Sequence, residues 1–193
     1  MLPQDTKLIL WTGTKQSGKT TAVSRLIDRV GAESFQVAGL LSLAQYKNGT
    51  LIGFDVQDVS TGRHTPLARR GPQTPRHTSA FTFIKRGLEM GHLALNSPDT
   101  HSAQIIIIDE FGPLEIENHG WRKSVDKLII STEGLLLLVV RERLLEKVRD
   151  LYAQYPCAVL PASQPEAVEA VIDLLKKRFP SNQQPPGEST TTD

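Results

Sequence analysis

Four residues near the start of the chain set the chemistry to be explained. Gly13, Gly18, Lys19 and Thr20 stand in "GTKQSGKT", the spacing G-x-x-x-x-G-K-[ST]. A loop of this kind wraps phosphate oxygens with backbone N–H groups. Those groups have no intrahelical acceptor at the start of a helix, and the helix dipole favours negative charge there. On this reading the loop Gly13, Thr14, Lys15, Gln16, Ser17, Gly18, Lys19, Thr20 and Thr21 forms the nucleotide cradle. Lys19 reaches the β- and γ-phosphate oxygens, and the Thr20 hydroxyl binds Mg²⁺. The plain alternative is an ordinary glycine-containing turn. One P-loop subclass carries a second lysine five positions before the first. That position is Thr14, and Lys15 is out of register, so it faces solvent or touches phosphate.

The second cluster is "IIIIDEFGPLE", residues 105–115. A P-loop site needs a carboxylate at a neighbouring strand end to hold Mg²⁺, and Asp109 supplies it. Glu110 beside it is placed to orient or deprotonate an attacking water, as a general base. The pair fits hydrolysis better than a guanine-nucleotide switch, whose [NT]-K-x-D motif is missing; "SVDK" at 124–127 does not match it. Gly112-Pro113 forces a turn. Glu115 then returns toward the metal, caps the next helix or contacts a basic side chain. Arg141 follows the apolar run "LLLLVV" and would lie at the same sheet edge. It either contacts the γ-phosphate and its transition state or pairs with Glu142 or Glu146 on a helix surface.

These groups need a frame. "KLILWT" (7–12), "IIIID" (105–109) and "LLLLVV" (135–140) are apolar at every position, which suits strands covered on both faces of a parallel sheet. Helical spacing joins Trp121, Val125, Leu128 and Ile129, then Leu144, Val148, Leu151 and Tyr155, then Val168, Ile172 and Leu175 after Pro165. Strands alternating with helices predict an α/β fold, here a three-layer sandwich with a mostly parallel sheet. Residues 36–68 break the rhythm. Two strand-like runs flank "KNG", a hairpin signal, so an antiparallel hairpin is expected as an insertion. A helix is expected near 83–96, with Gly87 and Gly91 for close packing. One domain over 1–179 and a disordered tail over 180–193 complete the prediction.

Composition narrows the partners. Charge is balanced, 22 Lys+Arg against 21 Asp+Glu, which gives no strong signal for nucleic acid. The segment 63–79 carries Arg63, Arg69, Arg70 and Arg76, with His64 and His77; it reads as a solvated loop, a lid over phosphates or a patch for a phosphorylated acceptor. Histidines are scattered without metal spacing, and Cys157 is the single cysteine, in keeping with a reducing cytoplasm. The longest apolar run is too short for a membrane span, and no signal peptide is expected.

Three stretches together, "GTKQSGKTT", "GLLSLAQYKNGTLIGFDVQDVSTGRHTPLARR" and "IIIIDEFGPLE", resemble the small P-loop nucleoside-triphosphatase family, known from thermophiles and from a cancer-related relative. The middle one is the specific part: Gly39, Gly49, Ile52, Gly53, Phe54, Asp55, Gly62, Pro66, Leu67, Ala68 and Arg69 match in order. Asp109, Glu110, Gly112, Leu114 and Glu115 match the acidic motif. The resemblance implies Mg²⁺-dependent hydrolysis of ATP, GTP and other nucleoside triphosphates to the diphosphate. By residue it implies phosphate binding by Gly13 through Thr21, metal and water work by Asp109 and Glu110, and a phosphate contact by Arg141; the loop itself puts Lys19 in catalysis and Thr20 on the metal with Asp109. A phosphotransferase and a nucleotide-dependent binding module are the rival readings. Gln16 stands where the family loop often has glycine, and Leu40 and Leu41 stand where it has an aromatic pair.

Overall fold

The computed structural model describes residues 2–14, 18–71 and 81–180. β1 (Leu8–Gly13) leads into the phosphate loop and α1 (Lys19–Ala32). β2 (Val37–Lys47), β3 (Thr50–Asp58), β4 (His64–Arg70) and β5 (Phe81–Phe83) follow. After α2 (Lys85–Leu95) and α3 (Pro98–Ser102) come β6 (Ile105–Ile108), α4 (Pro113–Ile116) and α5 (Arg122–Ser131). β7 (Leu135–Arg141), α6 (Leu145–Leu151), β8 (Cys157–Pro161) and α7 (Glu166–Arg178) complete the order.

The strands form one eight-stranded sheet, β5-β4-β3-β2-β6-β7-β1-β8. Successive side chains on a strand point to opposite faces, and the two cores follow that alternation. Leu8, Leu10, Ile106, Ile108, Leu136 and Leu138 pack against α2, α5 and α6 through Leu95, Val125, Leu128 and Val148. Ile9, Trp11, Ile105, Ile107, Leu135 and Leu137 pack against α1 and α7 through Val23, Leu26, Val171 and Leu175. This is why the three predicted strands are apolar at every position. The sheet is the middle of three layers, and each fully buried aliphatic side chain contributes about 1.5–3 kcal/mol.

The antiparallel part is a continuation of this sheet. β2 starts parallel to β6, from Val37 opposite Ile105 to Leu40 opposite Ile108. It then runs on as an antiparallel partner of β3, from Leu40 opposite Asp58 to Lys47 opposite Thr50. Asn48 and Gly49, both at positive φ, close the two-residue turn, the geometry that matches strand twist. Where β2 meets β6, Gly39 sits at φ 115, and an added Cβ would collide with the backbone of Ile107.

Some expectations change. Arg69 and Arg70 belong to β4, not to a loop. Arg69 donates to the Phe54 and Ala68 carbonyl oxygens and pairs with buried Asp55 at 2.6 Å, so its role is structural. His64 Nδ1 lies 3.4 Å from the same carboxylate. Arg76 and His77 lie outside the described residues, as does the expected tail from 181 onward. α6 ends at Leu151, before Tyr155, which still packs on the core. Val168 is only partly buried, the buried stripe of α7 running through Ala167, Val171, Ile172, Leu174 and Leu175. Gly87 and Gly91 do mark close packing: a Cβ would strike Pro66 at the first and the Trp121 ring at the second. No helix among the described residues is long and apolar enough to cross a membrane.

Candidate active site

Register brings the predicted residues to one edge. Gly13 lies opposite Arg141 across β1 and β7. Ile108 lies opposite Leu138 on β7 and Leu40 on β2. Asp109 and Ser42 therefore emerge on the same side as the phosphate loop, where ligands of open α/β sheets bind. α1 begins directly after Gly18, which takes the left-handed φ 78 that favours glycine. Lys19, Thr20, Ser42, Glu110 and Arg141 line a cavity of about 360 Å³ here, with Tyr46, Leu51 and Phe54 of the β2–β3 hairpin on its outer wall. Lys15, Gln16 and Ser17 lie outside the described residues.

Asp109 ties three elements together. Its Oδ2 accepts from the Thr20 hydroxyl at 3.2 Å and from the Ser42 backbone N–H at 3.2 Å. Its Oδ1 accepts from the Glu110 N–H at 3.0 Å. The carboxyl is almost fully buried. Burial pushes its pKa up to about 6, the neighbouring Glu110 charge adds to the rise, and the three hydrogen bonds oppose it. Ser42 was not predicted as a site residue. It acts through its backbone N–H, which leaves no side-chain signal.

Glu110 is at φ 61, a conformation costing a non-glycine residue roughly 1–2 kcal/mol. Its half-exposed carboxylate pairs with Arg141, Nη2 to Oε2 at 2.9 Å. Arg141 thus faces the site, and its partner is Glu110 rather than Glu142 or Glu146. Lys19 Nζ donates back to the Gly13 and Thr14 carbonyl oxygens at 3.1 and 2.6 Å. Burial lowers the pKa of this ammonium; Glu110 opposes that, Arg141 reinforces it, and Asp109 opposes it. Glu115 takes the capping option. It is buried, and it accepts from the Gly112 N–H at 2.8 Å and the Trp121 N–H at 3.1 Å, bracing α4 and the start of α5.

The oxygen donors fit a small hard cation. The Thr20 hydroxyl and Asp109 Oδ2 stand 3.2 Å apart, and Mg²⁺ is typically held by one or two protein oxygens plus phosphates. No group of three His, Cys, Asp or Glu placed to hold a metal occurs among the described residues.

A phosphate loop after β1, a carboxylate after β6 and one strand between them define an α/β protein of the P-loop class. The chain belongs to the NTPase family, whose sequence model matches residues 8–160. It is 31% identical over 172 residues to nucleoside-triphosphatase THEP1 of Methanothermobacter thermautotrophicus, covering 86% of this chain and 95% of that protein. It is 27% identical over 172 residues to THEP1 of Pyrococcus abyssi, covering 89% and 94%. In structure it resembles a human cancer-related nucleoside triphosphatase, with a TM-score of 0.68 at 20% identity over 91% of this chain and 98% of that one. THEP1 from Aquifex aeolicus superposes with a TM-score of 0.66 at 17% identity, over 88% and 99%.

Proposed function

We propose that the protein is a nucleoside-triphosphatase that hydrolyses ATP, GTP and other nucleoside triphosphates to the diphosphate and phosphate. Family membership supports the reaction. The observation that carries the site is the Glu110 carboxylate, directly after buried Asp109, paired with Arg141 and lining the same cavity as Gly18 to Thr21. The α1 N-terminus and the loop N–H groups bind the phosphates. Lys19 leaves the Gly13 and Thr14 carbonyls for the β- and γ-oxygens. Thr20 and Asp109 would hold Mg²⁺, which would supply positive charge against the phosphate oxygens. Glu110 takes a proton from water as the water oxygen bonds to the γ-phosphorus and the bond to the bridging oxygen breaks. Arg141 stabilises charge on the transferring group. For that, it exchanges Glu110 for the phosphoryl oxygens, which frees the base as the substrate arrives.

The reading further holds residues 1–179 to be one domain. A lone exposed thiol, Cys157, supports a reducing cytoplasmic setting. The test is phosphate release over a panel of nucleoside triphosphates for the wild type and Glu110→Gln. Removing a general base lowers turnover by about 10²–10⁴-fold, while nucleotide binding remains. Undiminished hydrolysis by Glu110→Gln would remove Glu110 from the mechanism.

A further inference from the structure

Across the Glu110–Arg141 pair from the phosphate loop lies a second cavity, of about 310 Å³. It shares Phe54, Glu110 and Arg141 with the first, but none of Gly18 to Thr21 lines it. Its walls are aromatic. Phe54 and Phe81 meet edge to face with ring centroids 5.2 Å apart, Phe83 stands at the mouth, 43% exposed, and buried Trp121 contributes a further ring. Such a space takes a flat apolar body. Its charged lining is sparse. Glu115 is spent on two backbone N–H groups, and Arg141 is the one cation among the described lining residues, already paired with Glu110. Nothing there matches a second phosphate.

We propose that this cavity is an acceptor site for a neutral, ring-bearing alcohol of the nucleoside or arylmethanol type, which receives the γ-phosphoryl group in place of water. The inference rests on the nucleoside-triphosphatase reading. The ring lies among Phe54, Phe81, Phe83 and Trp121, and the hydroxyl reaches in beside Glu110 where the two cavities meet, facing the phosphate loop. The hydroxyl oxygen bonds to the γ-phosphorus, and the bond from that phosphorus to the bridging oxygen breaks. The nucleoside diphosphate leaves, the hydroxyl proton passes to Glu110 and then to solvent, and the product is a phosphate monoester. One base thus serves water and alcohol alike. The apolar walls decide between them by excluding water when a ring is bound.

The experiment follows γ-labelled ATP with the full chain and Mg²⁺ in the presence of adenosine, uridine or 2-naphthylmethanol, with glycerol and AMP as controls. Label is expected in the three ring-bearing alcohols and absent from glycerol and AMP. Leu88→Trp, which fills the cavity from α2, is expected to lower the ratio of labelled acceptor to labelled phosphate by about tenfold or more, the scale on which pockets discriminate by bulk. Phe83→Ala removes a half-exposed wall without adding bulk and is expected to raise the acceptor KM. Labelled inorganic phosphate as the sole product across the panel would overturn the acceptor site and leave hydrolysis standing. Equal transfer to glycerol, or an unchanged ratio in both variants, would also overturn it. Absence of every labelled product would overturn the hydrolytic reading, and the acceptor site with it.

Discussion

Burial of Asp109 makes the stability of the metal-free protein depend on pH in a calculable way. Its carboxyl has a pKa of about 6 in the fold against 3.8 ordinarily, so between those values the folded chain holds a proton that the unfolded chain has lost. Stability from this group is therefore greatest at low pH and falls as pH rises through the folded value. Linkage gives on the order of 1 kcal/mol more stability at pH 5.0 than at pH 7.5 from this residue. Asp109→Asn removes the titration. It also gives up one oxygen acceptor, so one of the Ser42 and Glu110 N–H groups loses its partner. That fixed cost, about 1–3 kcal/mol, does not change with pH. The assay is urea unfolding of both proteins at the two pH values in the presence of a chelator. Relative to Asp109→Asn, the wild type is expected to gain on the order of 1 kcal/mol on acidification. A difference that is the same at both values, or that moves in favour of Asp109→Asn at pH 5.0, would refute the claim that Asp109 is a desolvated carboxylate. Mg²⁺ with nucleotide should abolish the gain, because the metal requires the ionised form.

Arg141→Ala should lower kcat by about 10³-fold or more if the guanidinium stabilises the transferring group. Its half-exposed pair with Glu110 is worth about 1 kcal/mol at most, so the melting temperature should barely move; steady-state kinetics beside thermal denaturation separates the two. Glu115→Ala leaves the buried Gly112 and Trp121 N–H groups without their acceptor and is expected to cost about 2–6 kcal/mol, at 1–3 each, read by urea unfolding. Gly39→Ala should fail to give a folded protein in circular dichroism, since it forces a Cβ into the Ile107 backbone at positive φ. The matched Gly31→Ala on α1, where a Cβ meets open space, should be tolerated.

What could be read from the residues follows their surroundings. Ile105–Ile108 and Leu135–Val140 are covered on both faces and announce themselves as unbroken apolar runs. Cys157–Pro161 is an edge strand, exposed or half-buried throughout, so no apolar run marks β8, and three-residue β5 is too short to show a pattern. Pro98–Ser102 escaped as well, although Ser97 caps it through the Thr100 N–H. In the site, Lys19, Thr20, Asp109, Glu110 and Arg141 come together as their spacing implied. The direction of Glu115 was open because a Gly-Pro turn can send the chain either way. Only the two N–H groups that converge on its carboxylate, one of them six residues further along, decide it. The second cavity is assembled from β3, β4, β5, α2 and the α4–α5 segment, a juxtaposition that no local pattern encodes.

The bracing of Glu115 has a consequence for what kind of machine this is. Proteins that report their nucleotide state keep the stretch beyond the catalytic carboxylates loose, so that losing a phosphate redraws a surface that a partner can feel. Here that stretch is pinned at both ends, by the Gly112 and Trp121 N–H groups on the one Glu115 carboxylate, with Trp121 wedged against Gly91. A lever welded at its fulcrum transmits nothing. The outer face of α4 and α5 should look the same to a partner before and after turnover, which suits a chemist better than a messenger.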